Sequence, residues 1–201
     1  MTPLKLEKDN GLVIVAHPDD ETIWMGGVLL AFPHVEWTMF SLSRSEDANR
    51  APKFMRVCEL YGARAIISDL EDESVMNISE SIPEIKKRLT RGLSERRFQY
   101  IFTHGYNGEY GHARHKGVYK AVRELIKEKK LIAQSVFNFA YRLDERRNFA
   151  VPNKQAQLIF KVPKKLYGRK KNIIAEHYGF RKSSFEYRSS THTETFNLLK
   201  P

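Results

Sequence analysis

The chain has 201 residues, 41% of them apolar and 29% charged, the balance of an ordinary globular protein with one sizeable core. No apolar run is long enough to span a membrane, the first ten residues lack a signal peptide's apolar stretch, and the lone Cys58 excludes an internal disulfide. A cytoplasmic location is expected, and the net charge of +10 fits plain solubility, an anionic substrate or nucleic acid.

Taken in order, Leu12 to Val15 is an apolar run that reads as a buried strand, followed by Ala16-His17-Pro18-Asp19-Asp20-Glu21. Thr22 to Phe32 then carries apolar residues at helical spacing. Val35 to Leu42 reads as a second strand, and Arg50 to Tyr61 as a helix stopped by Gly62 in the C-terminal cap position. Ala65 to Ile67 is a short third strand, followed by an acidic loop with Asp69 and Asp72. A helix is expected from about Ile82 to Glu95, with Ile85, Leu89 and Leu93 at spacings of four.

Tyr100 to Thr103 is strand four, and a glycine-rich loop, His104 to Gly111, follows it. The helix from about Ala113 to Lys129 buries Val118, Ala121, Val122, Leu125 and Ile126. Val136 to Ala140 and Gln157 to Phe160 look like further strands, and Lys164 to Tyr178 like a final basic helix. Strands alternating with helices predict an α/β chain, one domain over residues 1–201: a Rossmann-like three-layer sandwich with a mainly parallel sheet and helices on both faces. The cations around Tyr167 (Lys164, Lys165, Arg169, Lys170, Lys171) and the group Arg142, Arg146 and Arg147 carry no recognised binding motif, so nucleic acid is not the expected partner.

Two polar clusters follow two strands. In the first, His17 and Asp20 are three residues apart; in the second, Glu109 to His115, so are His112 and His115. Three apart on a first helical turn puts both side chains on one face, and ligand sites of open α/β sheets form at the carboxyl ends of strands. Singly, each has a plainer reading: Asp19 or Asp20 as a helix cap, His17 as a turn residue, the later histidines as solvated helix-start residues. Together they offer a catalytic zinc site, with three protein ligands and a fourth position for water. His17, Asp20 and one histidine of the second cluster meet that count. Asp19 or Glu21 could take the water's proton, and the remaining histidine could donate a proton or stabilise an oxyanion.

The strand ending in Ala16 to Glu21, the helix with Gly26-Gly27 and the later Gly111-His112-Ala113-Arg114-His115 resemble the LmbE-like (PIG-L-type) zinc deacetylases. Arg50 before a helix ending at Tyr61-Gly62-Ala63, and Glu194-Thr195-Phe196 near the end, extend the resemblance more weakly. Members remove the acetyl group from N-acetylglucosamine-containing compounds. The resemblance implies His17, Asp20 and His115 as zinc ligands and Asp19 as general base. It implies His112 as the oxyanion-stabilising group and donor to the leaving amine, Tyr110 as a polariser of the amide carbonyl and Arg50 as a substrate contact. Iron is compatible with the same ligands.

The implied partner is a small N-acetylated sugar or conjugate, with an anionic one suiting the basic surface; an oligomer is neither required nor excluded. An amidase acting on a non-sugar or longer-acyl amide, or a non-catalytic metal- or nucleic-acid-binding relative, is the alternative. Two departures stand out. Ala113-Arg114 replaces the family's usual Pro-Asp, and a cation there is expected to lower the pKa of a neighbouring histidine. Lys53 stands where an acid is common, so the substrate end is expected to differ.

Overall fold

Residues Leu12 to Ala16 are fully buried, as a strand without a polar face must be if it lies inside a parallel sheet covered on both sides. The computed structural model, which describes residues 1–72 and 75–199, puts that strand near the middle of an eight-stranded sheet. The elements run β1 (Thr2–Pro3), β2 (Asn10–Val15), α1 (Asp20–Ala31), β3 (Glu36–Ser43), α2 (Arg50–Tyr61), β4 (Arg64–Leu70), α3 (Ile78–Gly92) and β5 (Arg97–Thr103). After these come α4 (Gly108–Gly111), α5 (Ala113–Lys127), β6 (Ile132–Phe139), β7 (Tyr141–Asp144), β8 (Phe149–Pro152), β9 (Leu158–Lys161) and α6 (Lys164–Asn172). A π-helical turn (Ile173–His177), α7 (Phe185–Ser189) and β10 (Thr193–Leu198) complete the chain's regular structure.

The sheet order is β1-β9-β10-β6-β5-β2-β3-β4. Only β10 runs against its neighbours; every other pairing is parallel. One face is sealed by residues such as Trp24, Phe54, Tyr178, Phe102 and Phe196, the other by Ile85, Leu89, Val118 and Val122 packed on Leu12 and Ile14. The expected three-layer, mainly parallel sandwich is the observed fold. From β2 the chain steps outward to β3 and β4, whereas β5 and β6 step the other way. The crevice beyond the carboxyl ends of β2 and β5 is therefore the topological switch point.

Local differences have local causes. The helix expected from about Ile82 to Glu95 begins at Ile78 and ends at Gly92 as α3. Asn77 and Glu80 form a reciprocal capping box that carries the helix a turn further back. The basic helix leaves α geometry at Asn172 and finishes as a π turn. α1 is kinked at Met25 (φ −145°, ψ 17°), which frees the Gly27 and Val28 amides. Glu194 of β10 accepts from both, at 2.7 and 2.9 Å, and is neutralised by buried Lys170 at 2.7 Å. A Cβ on Gly27 would meet Val162 at 2.3 Å, so this packing requires glycine.

Candidate active site

The first cluster turns sharply. Asp19 adopts φ 112°, ψ −30°, a strained conformation for any residue but glycine. The surroundings hold it there: its amide donates to Glu21 Oε2 at 3.0 Å, and its carbonyl accepts from Thr22 and Ile23 to start α1. Glu21 is fully buried and also accepts from Thr22 and Tyr178, so it supports the turn and faces away from the cavity. Neither aspartate caps the helix with its side chain. Asp20 instead accepts the His17 amide on Oδ2 (3.0 Å) and the Trp24 indole N–H on Oδ1 (2.8 Å).

The second cluster arrives from the neighbouring strand end. His112 is the residue before α5 and His115 lies in its first turn. Three atoms now face one another: His17 Nδ1 to Asp20 Oδ2 is 3.1 Å, His115 Nε2 to Asp20 Oδ2 is 3.4 Å, and His115 Nε2 to His17 Nδ1 is 3.3 Å. A tetrahedral ion with bonds of about 2.0–2.1 Å has ligand atoms about 3.3–3.4 Å apart. The triangle matches one face of that tetrahedron, so the donor set fits a divalent metal with a further position open toward the cavity. Two overlapping groups, His17 with His112 and His115, and Asp20 with His104 and His115, also lie within 4.8 Å.

Carboxylates behind the triangle orient its histidines. His17 Nε2 is 2.7 Å from Asp72 Oδ1, and His115 Nδ1 is 2.5 Å from Glu109 Oε2. Each carboxylate takes the N–H of one ring nitrogen and leaves the other nitrogen's lone pair for the triangle, the arrangement of a metal-binding histidine. Glu109 Oε2 also meets His104 Nδ1 at 2.8 Å, and Oε1 accepts the Gly105 amide at 2.6 Å. Burial opposes charge on His104, but Glu109 and Asp20 outweigh it and raise its pKa to about 9. The Ala16 amide, which can only donate, points at His104 Nε2 at 2.9 Å and requires a lone pair there. That contact fixes His104 as the neutral Nδ1–H form, with Nδ1–H donating to Glu109.

The same opposition runs through the cluster. Burial works against charge on His17 and His115, yet Asp20 and Asp72 raise His17, and Asp20 and Glu109 raise His115; burial likewise opposes charge on Asp20, yet its contact with His115 holds it well below the usual range. Of the three carboxylates, Asp72 is also paired with Arg44 at 2.8 Å, while Asp20 and Glu109 meet no lysine or arginine among the described residues, which favours a positive species at this point.

The cavity above the triangle has a volume of about 180 Å³ and is bordered by Asp19, Arg50, Tyr110, His112 and Phe185. His112 lies 4.9 Å from the His17 ring and 4.5 Å from the His115 ring. Burial first, then the neighbouring His115 and His17, lowers its pKa to about 4, and its Nδ1 has no hydrogen-bond partner among the described residues. Tyr110 packs edge-on to Phe185 (4.5 Å) and sits 5.6 Å from His112. Asp19 is raised well above the usual carboxylate range, by burial and then by Asp20, with Arg50 opposing. Arg50 Nη1 donates to Asp19 Oδ2 at 2.6 Å, and its guanidinium lies over Phe180.

All seven residues singled out from sequence therefore converge. The triangle's outer partners, Asp72, Glu109 and His104, were not assigned roles. Glu109 carried one readable signal, an acid inside a glycine-rich loop just before the histidine pair. Two expectations change in detail. The pKa of His112 is lowered as expected, but its largest causes are burial and the other histidines, and Arg114 is buried against Glu71 at 3.0 Å. Lys53 does not border the cavity, since its ammonium donates to the Tyr178 carbonyl at 2.9 Å.

Comparison with known proteins adds to this geometry. The family described as PIG-L, GlcNAc-PI de-N-acetylase, matches residues 12–126. The uncharacterized protein L374 of Acanthamoeba polyphaga mimivirus is 26% identical over 132 residues, 59% of this chain and 58% of its own length; the match spans little more than half of that relative. Among solved structures, the N,N'-diacetylchitobiose deacetylase of Pyrococcus horikoshii is similar at TM-score 0.71 and 15% identity, covering 94% of this chain and 83% of that one. The A40926 pseudoaglycone deacetylase Dbv21 gives 0.65 and 14%, covering 96% and 98%. The 4-carboxy-2-hydroxymuconate hydratase of Pseudomonas putida KT2440 gives 0.68 and 13%, covering 96% of each chain. At these identities the likeness is one of fold, and a hydratase among the neighbours shows that the fold serves more than one chemistry.

Proposed function

The chain belongs to the PIG-L family, and on that premise we propose that it is a zinc-dependent hydrolase removing the acetyl group from an N-acetylglucosamine-type sugar or its conjugate. The observation that carries this reading is the triangle of His17 Nδ1, Asp20 Oδ2 and His115 Nε2, with edges of 3.1 to 3.4 Å. When bound, the metal supplies a Lewis acid for the amide carbonyl and a water of lowered pKa. Ferrous iron suits the same His/carboxylate donors. Residues 1–201 are read as one domain, and among the described residues no helix is long and apolar enough to cross a membrane.

This chain's own residues do the rest. Asp19 accepts a proton from the attacking water, and its raised pKa lets it keep that proton and then deliver it to the departing nitrogen. The water oxygen bonds to the acetyl carbon, the carbon–nitrogen bond breaks, and acetate and a free amine leave. His112, with a pKa near 4, is neutral at pH 7 and acts as a hydrogen-bond donor to the developing oxyanion rather than as an acid. Tyr110, its pKa raised by burial and then by Asp20, stays protonated and can donate to the same oxygen. Arg50 fixes Asp19 and forms the substrate rim with Phe180.

The test is acetate release by metal-loaded protein from N-acetylated amino sugars, compared with release from longer acyl amides. Turnover confined to acetyl sugars supports the reading. Turnover only of long-chain or non-sugar amides, or of none, contradicts it.

A further inference from the structure

α3 and α5 cover one face of the sheet from β4 through β3, β2 and β5 to β6, and their contacts do not extend to β10 and β9 to the same degree. At the flank of α5 this leaves a step, and the step holds a cavity of about 410 Å³, within the usual range for small-ligand sites. Its floor is a row of carboxamides. Asn138 of β6 lies directly opposite Asn197 of β10, and Gln157, just before β9, is tied to both the Asn197 side chain and the Leu198 amide. Its wall is Tyr119 and Arg123, one turn apart on α5, with the guanidinium over the ring at 5.6 Å. Tyr106 stands at the rim, 69% exposed.

Asn138 is the informative member. It is 5% exposed, yet its Oδ1 has no hydrogen-bond partner among the described residues. A buried unpaired amide oxygen is costly and points to a missing donor.

We infer that this cavity is a second, non-catalytic saccharide site. Carboxamides both donate and accept, which matches sugar hydroxyls that do the same. The exposed Tyr106 ring offers a flat apolar face to the C–H side of a pyranose, with its hydroxyl left to water. Arg123 is the single charge among these six residues, so the site does not demand a polyanion. Tyr106 is two residues beyond His104, so the cavity adjoins the catalytic loop without sharing a residue with the cavity above the triangle. The inference stands on this surface and does not need the deacetylase reading.

Saturation-transfer NMR on the full chain tests it, with N-acetylglucosamine and N,N'-diacetylchitobiose as probes and UMP as the nucleotide control. His17→Ala removes a ligand of the catalytic metal centre, and Tyr106→Ala in that background separates binding at this cavity from binding at the cavity above the triangle, which Tyr106 does not border. The expected result is sugar binding in His17→Ala, weakened at least about fivefold by adding Tyr106→Ala, an exposed substitution that leaves the core untouched. Asn138→Ala should weaken binding likewise if it folds. No sugar binding in His17→Ala, binding indifferent to Tyr106→Ala, or UMP bound more tightly than either sugar would each overturn the inference.

Discussion

Glu109 Oε2 lies 2.5 Å from His115 Nδ1, and this one contact decides which His115 nitrogen faces the triangle. The carboxylate accepts a hydrogen bond from Nδ1–H, so Nε2 is bare where His17 Nδ1 and Asp20 Oδ2 also point. Glu109→Gln keeps the side chain's shape but cannot accept on both oxygens. We expect metal affinity to fall about 10- to 100-fold, read by competition with a chelator, with an unchanged circular dichroism spectrum. Unchanged affinity would remove Glu109 from the metal-orienting role.

Asp19 carries the base assignment. Asparagine has the shape of aspartate and bears the same backbone strain no worse, so Asp19→Asn preserves the turn while removing the proton acceptor. Turnover should fall about 10²- to 10⁴-fold with metal content intact. Near-normal rates in metal-loaded Asp19→Asn would place the base elsewhere.

Asp72 gives a pH-dependent prediction. Burial works to raise its pKa, but His17 and Arg44 lower it from the usual 3.8 to about 2, and its side chain is only 11% exposed. A folded-state pKa below the unfolded one contributes stability above about pH 4, and that contribution is lost as pH falls through 2. The size is on the order of 2 kcal/mol. In chelator-treated protein, Asp72→Asn should be less stable at pH 6 and show a flatter acid limb between pH 4 and 2. Parallel limbs for the two proteins would show that Asp72 is not held ionised by the fold.

The kink in α1 predicts a packing cost. Gly27→Ala would drive a Cβ to 2.3 Å from Val162 and 3.0 Å from Glu194. Overpacking of this kind costs about 1–3 kcal/mol, so a urea midpoint shifted down with unchanged slope is expected. A neutral result would mean that Val162 and β10 yield easily.

Much of this was legible in the chain because the relevant signals are local. Val15 ends a fully buried strand, and Gly62 stops α2 in the left-handed conformation its position implied. The histidine–aspartate and histidine–histidine spacings brought four of the polar groups to one crevice. What stayed hidden depends on distant partners. Asp72 reaches His17 across 55 residues from an irregular loop, which no periodicity marks. β10 was not read as a strand because Glu194 and Thr195 are buried there, satisfied by Lys170, by the kinked helix and by the Ala140 carbonyl. The β7–β8 hairpin is four residues a side and rich in charge, too short for alternation to show. The ion pair of Arg114 is hidden for the same reason: its partner, Glu71, is 43 residues away.

The most direct measurement is the metal content of the purified chain, by elemental analysis after removal of loosely bound ions. One equivalent of zinc or iron in the wild-type protein, lost in His17→Ala and in His115→Ala, is the predicted result. A wild-type protein that binds no divalent metal, or a His17→Ala variant that keeps its full equivalent, would contradict the assignment of the triangle as a metal centre.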